Sequence, residues 1–204
     1  RFAPSRTVLI VALLVAAAAQ EHGLGIHIHL SETEHEVQES IAAHGVTPVR
    51  HLDDLGVLNG HVTAAHCVHL SDEDIALLAE RQVGVAHCPG SNMKLASGFA
   101  RVPELLEAGA TVGLGTDGAA SNNNLDLLEE ARLAALIHKG YSGDPTVVDA
   151  DQALRLATVG GARALGLADR IGTLEVGKRA DCILMDLSGA HTQPLFDVES
   201  QIVY

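Results

Sequence analysis

Gly25-Ile-His27-Ile-His29-Leu-Ser31-Glu32-Thr-Glu34 is the stretch on which the reading of this chain turns. Isoleucine and leucine alternate with histidine, so a strand over residues 25–30 puts His27 and His29 on one face and the carboxylate of Glu32 just past the strand end. Residues 34–44 then switch to helical spacing. Strand, polar residue at its C-terminal end, loop and helix together make one unit, and the unit recurs three times. The further strands are residues 62–66, 83–87 and 111–117, followed by helices at 72–81, 102–108 and 125–138. Strands that alternate with helices predict an α/β fold with a parallel sheet.

Local signals support the helices. Ser31 with Glu34 and Ser71 with Asp74 have the spacing of capping boxes, and Gly140 and Gly143 close the fourth helix. Two more helices are expected at 149–158 and 161–167. A strand over 180–187 follows the turn Glu175-Val-Gly-Lys178, and residues 200–204 are again β-rich. A closed barrel of eight such units takes about 250 residues, whereas only four units are present here. The chain also begins at Arg1 without a Met. We therefore expect a fragment missing both ends, with half a barrel open at its edges.

Composition narrows the function. The 204 residues suffice for one domain with a real core, and the hydrophobic 47% is mostly Ala, Leu and Val, with 2% aromatics and no Trp. A net charge of −13 repels phosphate backbones and anionic lipid, which argues against nucleic-acid or membrane-surface partners and for a small-molecule substrate. Cys67, Cys88 and Cys182 are an odd set with no close-spaced pair, as expected of reduced thiols in the cytoplasm. The apolar run at 8–19 is shorter than the roughly 20 residues of a membrane span and is expected to be a buried helix packed on the sheet, with a signal-peptide core as the alternative. A homo-oligomer stays open.

In parallel α/β folds the chemistry collects at the C-terminal strand ends, which here carry His29, His66, His87 and Asp117. Each motif alone has a plain alternative. His27 and His29 could be satisfied core residues, and His66 before Cys67 a buried hydrogen-bonded imidazole. Asp117, held between glycines, could be an Asx turn or a helix cap. Asn92 and Lys94, in the loop after His87, read as braces. Taken together, the ends suit a metal site with proton-transfer groups beside it.

Four segments carry a resemblance. His29-Leu-Ser-Glu32-Thr, Ala64-Ala-His66-Cys-Val-His-Leu, His87-Cys-Pro-Gly-Ser-Asn92-Met-Lys-Leu-Ala-Ser-Gly and Gly115-Thr-Asp117-Gly-Ala-Ala-Ser-Asn-Asn-Asn-Leu-Asp resemble 5-methylthioadenosine/S-adenosylhomocysteine deaminases of the amidohydrolase superfamily. Ile171-Gly-Thr-Leu-Glu-Val-Gly-Lys-Arg-Ala-Asp181 resembles the segment where such chains leave the barrel. The resemblance implies the second half of a metal-dependent (β/α)8 barrel, strands 5–8, over residues 1–178, and the start of a small β-sandwich over 179–204. It implies one divalent metal ion, zinc before iron or manganese, with His29 and Asp117 as ligands. Glu32 becomes the proton shuttle, Glu32 and Asp117 contact the substrate, and His66 stands beside the attacking water. The family's remaining ligands, a His-x-His on the first barrel strand, would lie upstream of Arg1, so the isolated fragment is expected to hold metal poorly and to be inactive. Two departures stand out: Phe2 occupies the place of a substrate-contacting His in His-Ala-Pro, and Cys88 the place of a common Asn.

The implied activity is hydrolytic deamination of an adenosine-type compound with release of ammonia. Two alternatives remain open at this level: a related hydrolase acting on a guanine, pterin or chlorotriazine ring, and a non-catalytic scaffold that kept only the fold.

Overall fold

The computed structural model describes residues 6–204, with side chains from Leu13 onward, so Phe2 lies outside the described residues. Four strands, β1 (Ile26–Leu30), β2 (Val62–His66), β3 (Gly84–His87) and β4 (Thr111–Leu114), pair in the order β1-β2-β3-β4, all parallel. Leu30 pairs with His66 and His87 with Leu114, so the C-terminal ends emerge along one edge. Before the strands runs α1 (Arg6–His22), and between and after them run α2 (Glu34–His44), α3 (Pro48–Asp54), α4 (Asp72–Glu80), α5 (Pro89–Lys94), α6 (Val102–Glu107), α7 (Ala119–Asn122), α8 (Leu127–Ser142), α9 (Ala150–Arg155), α10 (Gly161–Ala164) and α11 (Val198–Val203).

The core forms where strands and helices meet: Leu30, Val62, Ala64, Val85 and Val112 from the sheet pack with Leu58, Ile75, Leu78, Val102 and Leu105. Every residue of β2 is buried, as expected of an inner strand of a parallel sheet. On β4 the close approach is made possible by Gly113: a Cβ there would come within 2.5 Å of the Gly161 Cα, so α10 lies almost directly on the strand. Thr63 Oγ1 ties the same helix down by donating to the Ala164 carbonyl at 2.9 Å.

One predicted cap is present and one is displaced. At α4 the Ser71 hydroxyl accepts from the Asp74 N–H and the Asp74 carboxylate accepts from the Ser71 N–H, both at 3.1 Å. At α2, Ser31 is still leaving the strand at φ 51°, so the helix starts two residues later than a Ser31 cap requires. Thr33 caps it, and Glu36, not Glu34, reaches back to accept the N–H groups of Ser31 and Glu32 at 2.9 and 2.8 Å. Gly143 ends α8 in the left-handed conformation, while Gly140 lies within the helix.

Several expectations are corrected. β4 stops at Leu114, because the chain turns out of the ladder before Asp117. The helix expected at 149–158 ends at Arg155 and passes into a π turn at Leu156–Gly160. Residues 180–187 form no strand: they have no ladder partner, and Leu184 is fully exposed. The β-rich stretch at 200–204 is helical, part of α11, which packs on α8 and α9. The apolar run at 8–19 is helical, but of its described side chains only Ala16 and Ala19 are buried, whereas Leu13, Leu14 and Val15 are exposed. The helix meets the 3-10 turn Val57–Asn59, with Ala16 and Ala19 buried and Leu13, Leu14 and Val15 facing outward. No helix among the described residues is long and apolar enough to cross a membrane. All three cysteines are free.

Candidate metal centre

Strand alternation and the loops that follow bring four of the predicted residues together at the C-terminal edge. His29, at the end of β1, presents Nε2 at 3.9 Å from Asp117 Oδ1, and its ring stacks on that of His66 with centroids 5.3 Å apart. Ligand atoms of His29, His66 and Asp117 all lie within 4.8 Å of one another. Glu32 Oε2 stands 3.9 Å from His66 Nε2, which completes the group. The side chain of His29 is 68% exposed and that of Asp117 19%, so neither residue is a satisfied core group.

Three of the strand exits share a backbone feature. Ser31, His66 and Asp117 all have positive φ, at 51°, 71° and 59°. A side chain in that region costs about 1–2 kcal/mol, and such strain gathers at functional sites. Here it turns the chain sharply off the sheet, so that His66 and Asp117 face across the edge instead of continuing the strand.

His66, Glu32 and Asp117 are each fixed by a partner. Asn92 Oδ1 pairs with His66 Nδ1 at 2.8 Å. An amide oxygen only accepts, so Nδ1 carries the hydrogen and Nε2 is the ring nitrogen left to face the cluster. That Nε2 is buried and has no hydrogen-bond partner among the described residues. A buried nitrogen left so costs about 1–3 kcal/mol, and a cation or a polarised water in front of it would remove that cost. Ser97 Oγ donates to Glu32 Oε1 at 3.0 Å and leaves Oε2 toward His66. Ser91 Oγ, at 2.8 Å, and Ser121 Oγ both donate to Asp117 Oδ2. Burial pushes the Asp117 carboxyl up, but the hydroxyls of Ser121 and Ser91 and the Gly118 N–H outweigh it and hold the group below its ordinary range. Two histidines and a carboxylate, all able to be deprotonated donors near neutral pH, are a fitting set for a divalent ion.

Neither Asp117 nor Glu32 is spent on capping a helix. Gly118, not Asp117, is the N-cap of α7, and the cap of α2 uses Thr33 and Glu36. Lys94 is a brace, as expected, donating to the Ala120 carbonyl at 3.0 Å and to Asn123. Asn92 is more than a brace, since it sets the His66 ring. His87, the fourth strand-end residue, is not part of the cluster: it is buried, and its Nε2 pairs with His138 Nε2 at 3.2 Å. Cys88 is buried beside the site, and burial first, then the Asp117 and Glu130 carboxylates, push its thiol up to about 12, which rules it out as a nucleophile at neutral pH. The serines that orient Glu32 and Asp117 went unread in the sequence, because a loop hydroxyl carries no periodic signal.

The chain is similar to known proteins in sequence and in fold. Residues 9–203 match the amidohydrolase family. The 5-methylthioadenosine/S-adenosylhomocysteine deaminase of Moorella thermoacetica is 59% identical over 190 residues, 93% of this chain and 44% of that protein. Among solved structures, an adenosine deaminase from Xanthomonas campestris with bound zinc superposes with a TM-score of 0.93 at 46% identity, covering 96% of this chain and 45% of that one. The atrazine chlorohydrolase of Arthrobacter aurescens TC1 complexed with zinc gives 0.89 at 32% identity, covering 96% and 43%. The chain belongs to the amidohydrolase family, and its parallel sheet is part of that family's barrel. It spans less than half the length of the curated relatives it matches.

Proposed function

We propose that this chain supplies half of the active site of a hydrolytic deaminase that converts an adenosine-type compound, such as 5-methylthioadenosine, S-adenosylhomocysteine or adenosine, to its inosine-type counterpart and ammonia. The observation that carries the reading is the convergence of His29, Asp117 and the unpartnered Nε2 of His66 on one point of the sheet edge, with Glu32 beside them. The identity to deaminases supports the substrate class.

His29 Nε2 and Asp117 Oδ1 would hold one divalent ion, and zinc is favoured by the donor types and by its presence in similar structures. Such an ion supplies Lewis acidity, which lowers the pKa of water from 15.7 toward about 7. A catalytic zinc takes about three protein ligands, so further donors are required, and in this reading they come from a His-x-His elsewhere in the whole protein. His66 Nε2 accepts a hydrogen bond from the water and aims its oxygen at C6 of the purine. Asp117 takes up the water's proton and Glu32 Oε2 protonates the ring nitrogen as the C6–O bond forms; the proton on Asp117 then passes to the amino group, which leaves as ammonia when the C6–N bond breaks, while the C6 hydroxyl returns a proton to Glu32 and becomes the carbonyl of the product. The strand ends do not by themselves select the ring: the likeness to a chlorohydrolase supports a second reading in which the same groups displace chloride from a triazine.

The free thiols support a cytoplasmic location. We also propose residues 179–204 as the start of a β-sandwich, supported by the exposed apolar side chains of the extended stretch 180–187.

A substrate panel with ammonia release as the readout, run on the whole protein, separates the two readings. In the same assay Glu32→Gln should lower kcat by about 10² to 10⁴-fold with metal content unchanged, while His29→Ala should lose the metal first. Loss of metal from Glu32→Gln would make Glu32 a ligand and overturn its assignment as the shuttle.

A further inference from the structure

Glu130 lies in the first turn of α8 and is 1% exposed. Its hydrogen-bond partners are the Gly90 N–H, 2.8 Å from Oε2, and Asn122 Nδ2, 2.7 Å from Oε1. Those donors sit on the two short helices that hold hydroxyls against Asp117. Gly90 precedes Ser91 on α5, Asn122 follows Ser121 on α7, and both serine Oγ atoms donate to Asp117 Oδ2. We infer that Glu130 is a positioning residue: its carboxylate clamps α5 to α7, so that Ser91 and Ser121 converge on Oδ2 of Asp117 and leave Oδ1 directed at His29.

Three observations support the clamp. Helices of six and four residues are not stable alone, so tertiary contacts must set their placement. The carboxylate presses so closely on α5 that a Cβ at Gly90 would come within 2.3 Å of Glu130 Oε1. Asn122 cannot turn its amide round, because its Oδ1 accepts the Leu125 N–H at 2.8 Å, so Nδ2 is committed to Glu130. Burial pushes the Glu130 carboxyl above the usual carboxylate range while both donors act against that, which fits a buried acid held for its two acceptor oxygens.

The inference rests on the reading of Asp117 as a metal ligand, and the test separates the two. Glu130→Gln keeps the shape but sets an NH2 group against one of two donors, so one contact is lost. Adding Asn122→Asp restores a donor-to-acceptor pair at unchanged net charge. Cobalt(II) titration of this chain, followed by the paramagnetic shifts of the His29 and His66 ring signals, reads even millimolar binding. Glu130→Gln should weaken cobalt binding about tenfold, in line with the effect of groups that orient ligands, and the double variant should recover most of the loss. Ser91→Ala with Ser121→Ala should give a similar loss with Glu130 intact, which keeps the test decisive if Glu130→Gln does not fold. The proposal is overturned if the paired serine variant binds cobalt as the unaltered chain does, or if Glu130→Gln lowers only the melting temperature of the metal-free chain. Asp117→Asn is the control on the underlying reading: if it leaves cobalt binding unchanged, Asp117 is no ligand and the clamp has nothing to aim.

Discussion

β2 and β3 lie side by side, and each ends in a buried histidine, yet the two ends differ in use. His66 has Nδ1 held by Asn92 and Nε2 turned, unpartnered, toward Glu32, His29 and Asp117. His87 spends its Nε2 on His138, and its Nδ1 is enclosed without a partner. Burial first, then the nearby His138 and His66, push His87 well below the ordinary histidine range, and burial takes His138 down to about 4. The second pair is therefore neutral and structural at physiological pH. Of these two histidines, only His66 turns a ring nitrogen toward the cluster at the sheet edge while the other nitrogen is held in place.

The largest expected effect that could break this contrast is on turnover. His66→Ala in the whole protein should lower kcat by about 10² to 10⁴-fold. His87→Ala should leave turnover per folded molecule within a few-fold and instead cost about 2–5 kcal/mol of stability, read by urea unfolding. Comparable losses of turnover would erase the distinction.

A smaller effect comes from pH. His138 titrates at about 4 in the folded chain against 6.5 as its ordinary value. Between those values the unfolded chain binds a proton that the folded chain does not, so this contribution to stability is complete above pH 6.5 and is lost as pH falls toward 4. For His138 alone the loss is about 3 kcal/mol, and the downward shift of His87 has the same sign. Urea unfolding at pH 7 and pH 5 should show a shallower pH dependence in His138→Leu than in the unaltered chain, and equal slopes would refute the neutral pair. The smallest effect should follow Asn92→Ala, which removes the oxygen that fixes the His66 ring. Turnover should fall about 10 to 100-fold, with KM little changed and the pH dependence of stability intact.

Most of the sheet was legible in the sequence, because the alternating run 25–30, the short apolar run 62–66 and the helical spacing of 34–44 are local signals. The strand-end positions of His29 and His66 followed from the strand patterns, whereas Asp117 lies three residues beyond the end of β4. What could not be read there depends on residues distant in the chain. The sequence does not show that α8 brings His138 to His87, or that Ser97 reaches back to Glu32. A similar failure explains residues 180–187, whose apolar content suits a strand but whose neighbours in this chain offer no ladder. The displaced cap at α2 is a shift of two residues caused by the left-handed turn at Ser31, a backbone preference that composition does not announce.

Because the order of strands in space repeats their order in the chain, each new strand docks on the one made just before it. Loop closure between such neighbours involves only the intervening segment, with its one or two α-helices, which keeps the entropic barrier to each step low. As the chain leaves the ribosome, His29 and Glu32 emerge first, His66 next and Asp117 last, so the donors meet only after the fourth strand has been added. In the proposed reading these four groups become one site only once the scaffold that orients them exists, which couples the assembly of the site to the order in which the strands are added.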